Sequence, residues 1–327
     1  MMMELDDQIT RNRKELEHHP PGDTGRAVAL HSLVVSLHNK FLETKDIANL
    51  EEAIVLNQSA LVLCPTGHSK RSISLHSLAI CFRDRYGIQG NIADLGNAIT
   101  LGRAASELCS PGHPDHAVTL YNLAVYLRGW FLRVGANGDL DEAISLHRSV
   151  LDLHPAGHFY WSSSLCSLAV CFSDRYDKQG TIEDLQEAIT CGRAALELCS
   201  SGHPHRGLAL CNLAGDLRKR FLKSGANGDL DKAISLHQSV LDLCPPGDPN
   251  RLDSLHDLAL CFSNRYNKQG TIADLEEAIT LGRTALELPS PDHFDRASNL
   301  YHLANDMWCK FLKFGANSDL NEAIFLH

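Results

Sequence analysis

Nowhere does the sequence hold a run of about eighteen apolar residues, and this excludes a membrane-spanning helix. Positive charge is also in deficit: 30 Lys and Arg stand against 40 Asp and Glu, a formal charge of −10. That balance gives no footprint for a phosphate backbone or an anionic lipid surface, so nucleic acid and membrane are not expected partners. Met1 to Thr10 is acidic and lacks the apolar stretch of a secretory signal. The 11 cysteines include no Cys-x-x-Cys pair and are sparse for 327 residues, so a reduced, cytoplasmic setting is expected rather than a disulfide scaffold. Gly-x-Ser-x-Gly, His-Glu-x-x-His, Walker and Gly-x-Gly-x-x-Gly patterns are all missing. With them go the sequence marks of hydrolase, zincin, nucleotide and dinucleotide sites. No enzymatic activity, metal, cofactor or small-molecule ligand is therefore expected.

What is present is a core-forming composition, 44% hydrophobic and 21% charged, laid out with strict periodicity. Length alone suggests two domains, but the period overrides it. Leu30, Leu75, Leu120, Leu165, Leu210, Leu255 and Leu300 recur every 45 residues without a slip. So do Leu50, Leu95, Leu140, Leu185, Leu230, Leu275 and Leu320, and the column from Ile54 to Ile324. An aromatic column runs Phe41, Tyr86, Phe131, Tyr176, Phe221, Tyr266, Phe311. Seven units of 45 residues follow, spanning 24–327, preceded by a half-unit at 1–23 in which Leu5, Ile9 and Leu16 hold the same register.

Within one unit, Leu120, Leu123, Ala124, Leu127 and Phe131 lie at helical spacing and form the buried stripe of a first helix, helix A. Gly135 marks a turn. Asp139, followed three residues later by Glu142, is expected to cap helix B, whose inner face is Leu140, Ala143, Ile144, Val150, Leu151 and Leu153 and which Pro155 and Gly157 stop. Alternate units differ: Gln89-Gly90, Gln179-Gly180 and Gln269-Gly270 recur every 90 residues, as do the Ala-Asn turns beginning at Ala136, Ala226 and Ala316. Pairs of units therefore read as duplicated together. One helix pair cannot bury both apolar faces alone, so stacking on its neighbours supplies the rest of an all-α solenoid core.

This pattern resembles the tetratricopeptide repeat. Leu120, Leu123, Ala124 and Leu127 match its first part, and Ala143, His147, Val150, Leu151, Leu153 and Pro155 its second, with eleven residues added to a unit of the family's length. The resemblance implies a right-handed superhelical solenoid of antiparallel helix pairs. Units this long, with Gly-His-Pro between helices B and A and Asp-Leu-x-Glu-Ala-Ile opening helix B, are similar to arrays in large fungal proteins, many of which carry a C-terminal caspase-like CHAT domain. The implied function is a non-catalytic scaffold that binds a protein or peptide segment. The alternative is the sensor or regulatory region of a CHAT-type protease whose catalytic domain lies outside the sequence.

Gly135-Ala-Asn-Gly138 and Gly225-Ala-Asn-Gly228 read as turns, because an acidic residue already occupies the helix start and repels phosphate. His68, His113, His158, His203 and His293 recur in the Gly-His turns, about 10 Å apart by helix-packing distances, too far to share one ion. His256 and Cys261 point about 140° apart on a helix and form no dyad.

There remains the outer face of helix A. Its columns hold His76, Ile80, Arg83, Tyr121, Val125, Arg128, Val170, Asp174, Arg218 and Lys219. By resemblance these line a concave groove whose apolar floor and Arg-rich border suit a segment with apolar anchors and a carboxylate. The competing reading is that longer turns tighten the array until the same columns pack together as core. The last helix B, starting at Asp319 and reaching His327, is short and lacks a polar capping partner, so a continuing sequence or fraying with self-association is expected there.

Overall fold

The computed structural model of the chain describes residues 2–153, 159–199, 202–203, 206–245, 248–288 and 294–326. Pro155, Gly157, His158 and His293 lie outside them. Helices of the A type are α2 (Arg26–Thr44), α4 (Arg71–Gln89), α6 (His116–Val134), α8 (Phe159–Gln179), α10 (Arg206–Ser224), α12 (Pro249–Gln269) and α14 (Phe294–Phe314). Helices of the B type are α1 (Met2–His18), α3 (Ile47–Leu63), α5 (Ile92–Leu108), α7 (Asn137–Leu153), α9 (Ile182–Leu198), α11 (Asn227–Leu243), α13 (Ile272–Glu287) and α15 (Asn317–Leu326). No strand occurs among the described residues, and the all-α class read from the repeats holds. The chain divides into two compact units, Met1–Ser164 and Leu165–His327, the boundary falling within α8.

The repeat columns become core. Leu50, Leu95 and Leu140 in the first unit, and Leu185, Leu230 and Leu275 in the second, are at most 1% exposed. Truncating any one to Ala would cost about 2–5 kcal/mol. In the aromatic column Phe41, Phe131 and Phe221 are buried, whereas Tyr86, Tyr176 and Tyr266, and Phe311 in the last unit, stay half-buried. Tyr86 accepts a 2.6 Å bond from Nε of Arg133.

Helix A ends where a left-handed residue turns the chain. Gly90, Gly135, Gly180, Gly225, Gly270 and Gly315 have φ between 69° and 78°, and each N–H bonds the carbonyl of the column aromatic four residues back. In the first unit Lys45 takes this conformation, with φ 56°.

The start of helix B differs from expectation. α7 begins at Asn137, so Asp139 lies in its first turn and its N–H donates to the Ala136 carbonyl at 3.2 Å; Asp139 is not the cap. Where a side-chain cap forms, it comes from the column of Ala136: Asp46 and Asn91 accept from the Ala48 and Ala93 N–H groups at 3.1 Å. The aspartate column serves another end. Asp94, Asp184, Asp229 and Asp274 each receive two bonds, of 2.6–3.0 Å, from Arg85, Arg175, Arg220 and Arg265 on the preceding helix A. This bidentate clamp fixes the first turn of helix B against the end of helix A.

Two further arginine columns join helices. Arg26, Arg71, Arg251 and Arg296, near the starts of A helices, donate to carbonyls at the end of the preceding B helix, His19, Cys64, Cys244 and Leu286. Arg13–Glu52, Arg103–Glu142 and Arg283–Glu322 tie successive B helices at 2.6–2.7 Å. α15 spans 10 residues, against 17 for α11, and starts two residues before the expected Asp319. Its Ile324 is 66% exposed, while Ile54, Ile99, Ile144, Ile189, Ile234 and Ile279 are at most 8% exposed.

Candidate partner-binding face

In the first unit the helix-A columns are mostly half-buried. His76, Tyr121, Ile80, Val125 and Arg128 are all in this class, while Arg83 keeps 46% of its side chain in solvent. Consecutive A helices meet here through polar pairs. His38 Nε2 lies 2.6 Å from Asp84 Oδ2, and Asn122 Nδ2 lies 3.3 Å from His76 Nε2. Burial lowers the pKa of His76, favouring its neutral ring. Arg83 reaches Asp84 at 3.2 Å, so one border arginine is partly engaged within the protein. Beneath the face, the Tyr121 and His147 rings meet edge-on at 5.3 Å, and burial, then the nearby Arg128 charge, pushes His147 down to about 3.

In the second unit Val170, Asp174, Arg218 and Lys219 are also half-buried. Lys219 donates from Nζ to Ser173 Oγ at 2.8 Å and to Asp177 Oδ2 at 2.6 Å, strapping α10 to α8. Ser173 donates in turn to Asp216 at 2.6 Å, and Ser263 to Asp306 at the same distance. Burial raises both carboxyl groups to about 6. Arg218 comes no closer than 3.9 Å to Asp257, and its buried Nε–H has no acceptor among the described residues.

Cys261 is fully buried, and burial raises its thiol to about 12; Cys81 reaches about 12 and Cys211 about 11 for the same reason. His237 is held near 4 by burial, with Nδ1 3.2 Å from Ser254 Oγ. No group of three or more His, Cys, Asp or Glu among the described residues could hold a metal ion. In the Gly-His turns, His68 and His113 accept from the N–H groups of Lys70 and Asp115 at 3.2 and 3.1 Å, so these rings brace their own turns. No described helix is long and apolar enough to cross a membrane.

Sequence reasoning missed the Arg–Asp clamp and the polar pairs between A helices. The clamp had a signal in the fixed nine-residue offset between the Arg and Asp columns, visible in four units. The pairs had a weaker one: Ser173–Asp216 recurs 90 residues on as Ser263–Asp306, but in the first unit other residue types pair at another offset, as in His38–Asp84.

A tetratricopeptide-repeat family model matches residues 251–295. No curated protein matches the chain in sequence. Among solved structures, the C-terminal part of a TPR repeat-containing protein from Cytophaga hutchinsonii is similar, with 12% identity over 92% of this chain and 99% of that one and a TM-score of 0.54. A tetratricopeptide repeat protein from Parabacteroides merdae gives 14% identity over 90% and 93%, TM-score 0.52. These likenesses show the fold of stacked helix pairs.

Proposed function

We propose that the chain is a non-enzymatic scaffold that holds a protein or peptide segment against the outer face of its A helices. The fold it shares with tetratricopeptide arrays suits this role, though a fold hosts many functions and only a site argues for one. The observation that carries the reading is Arg218: its guanidinium, part of it in solvent, comes no nearer than 3.9 Å to Asp257 and its Nε–H has no acceptor among the described residues, which leaves the cation incompletely paired and suited to an incoming carboxylate. In the first unit Arg83 and Arg128 stand beside Ile80 and Val125, an apolar surface with a cationic border. The partner is a segment with apolar anchors and a carboxylate. Nucleic acid suits neither the face nor a chain of charge −10. Free thiols throughout suit a reduced, cytoplasmic setting.

The test is the triple variant Arg83→Ala, Arg128→Ala, Arg218→Ala. Charged hydrogen bonds are worth about 1.5–3 kcal/mol each, so partner capture should fall by more than about tenfold while Tm stays nearly unchanged. Unchanged capture with a large drop in Tm would mean that the columns serve as core.

A further inference from the structure

In a chain of charge −10, the ends of three A helices of the second unit, α10, α12 and α14, are basic, whereas at the end of α8 Asp174 and Asp177 offset Arg175 and Lys178. Segments 219–225, 264–270 and 308–315, the last turns of α10, α12 and α14, hold 7 Lys and Arg and no Asp or Glu. Lys268 of α12 donates to the Gly225 carbonyl at the end of α10, and Ser263 of α12 to Asp306 of α14, so the three ends lie side by side along one edge. Of the acidic groups that the B helices set beside this edge, Asp229 is held by Arg220, and Asp231 and Asp274 by Arg265, while Asp319 lies buried in the first turn of α15. Lys223 and Lys313 are exposed and make no ion pair among the described residues.

Bases in a last turn complement the helix dipole, which accounts for the charge. It does not account for the apolar side chains among them. Leu222 is 57% exposed, Leu312 64% and Phe314 55%. The leucines belong to the 90-residue alternation, for the intervening unit carries Asn267 at this position. A polar residue is therefore compatible with the local fold, and burial does not explain the leucine. In the first unit the same column holds Leu42 and Leu132, but Glu43 follows Leu42, Asp84 lies near the end of α4 and Arg133 is bonded to Tyr86, so the basic surplus is smaller there.

We infer that the edge formed by the C-terminal ends of α10, α12 and α14 docks an acidic amphipathic helix from a partner protein. Apolar anchors of that helix seat on Leu222 and on Leu312 with Phe314, and its carboxylates meet Lys223 and Lys313. The two anchor points are two helix-packing steps apart, roughly 20 Å, which a helix spans in about 13–14 residues. This edge is separate from the Arg218 donor of the proposed carboxylate site, and the two fail separately.

The probe is a fluorescein-labelled helical peptide of about twenty residues built from Leu and Glu, compared with its Leu and Lys counterpart by fluorescence anisotropy on the full chain. The acidic peptide should bind about tenfold tighter or better, and weaken as salt rises. Leu222→Asn with Leu312→Asn installs the residue found at 267 and should lower its affinity about tenfold at unchanged circular dichroism, whereas Arg218→Ala should leave it intact. If that double variant misfolds, Lys223→Gln with Lys313→Gln gives the same readout through charge. Preference for the Leu and Lys peptide, or undiminished binding by the folded variants, would overturn the inference. So would capture of phosphatidylserine vesicles, in place of the peptide, that the same variants abolish.

Discussion

Removing Arg220 is the most direct test of the clamp between helices A and B. Its Nε and Nη2 donate to the two carboxylate oxygens of Asp229 at 2.7 Å each, and Asp229 is 7% exposed. Arg220→Ala leaves that carboxylate nearly buried without a cation. Loss of one partner from a well-buried pair costs about 3–5 kcal/mol, but Arg220 keeps 20% of its side chain in water, which reduces the expected cost to about 2–3 kcal/mol. Arg220→Ala with Asp229→Ala removes the orphaned charge, so the double variant should cost about 1–2 kcal/mol less than the sum of the singles. Urea unfolding followed by circular dichroism reads the totals. Hydrogen exchange in the first turn of α11 localises the effect, since arrays of this kind open unit by unit. The guanidinium holds the Asp229 carboxyl below its usual pKa. A folded pKa below the unfolded one stabilises above the unfolded value and is lost as pH falls through the folded one, so the gap between wild type and Arg220→Ala should close below about pH 4. A cost under about 0.5 kcal/mol, with the first turn equally protected, would refute the clamp.

Burial holds His237 near 4, below its unfolded value, so the fold gains stability as pH rises from about 4 to 6.5; His237→Gln should flatten the Tm profile across that window. Asp216 has the opposite sign: its carboxyl is raised to about 6, so ionisation above that pH destabilises, and Asp216→Asn should raise Tm at pH 7.5 but not at pH 4.5. Lys45 stands alone among the turn residues in taking φ 56° without being glycine. Relief of about 1–2 kcal/mol of left-handed strain, less about 0.5–1 kcal/mol of chain entropy, makes Lys45→Gly stabilising by about 0.5 kcal/mol in urea titrations.

Helix pairs, turn glycines and core columns were legible because the same physics recurs in every unit. Leu50 and its counterparts through Leu275 must be buried by any arrangement of these helices, so one column of a single sequence gave as much information as an alignment would. The start of helix B was misread because Asp followed by Glu at three residues imitates a capping box. The aspartate's partner lies across the pair on helix A, a contact that no local pattern encodes. Whether the outer A columns form groove or core depended on how closely neighbouring helices approach, and strict periodicity says nothing about that distance. Half-buried Val125 and Val170, with Arg83 open to water, show side chains neither sealed nor fully free.

The periodicity also separates scaffold from chemistry. Positions that repeat every 45 residues hold helices together; of those that repeat every 90, some are core, as Cys81, Cys171 and Cys261 are, and others lie at the surface and differ at little cost to the fold. Leu222 against Asn267 is one such surface contrast. Where a substitution changes no core contact yet alters exposed charge or apolar area, stability gives selection little to act on. Binding gives it more. Variants that restore the residue of a sister unit come first, since they remove a surface feature while keeping a residue that the repeat already accommodates elsewhere, and unchanged circular dichroism then assigns a loss of binding to the surface.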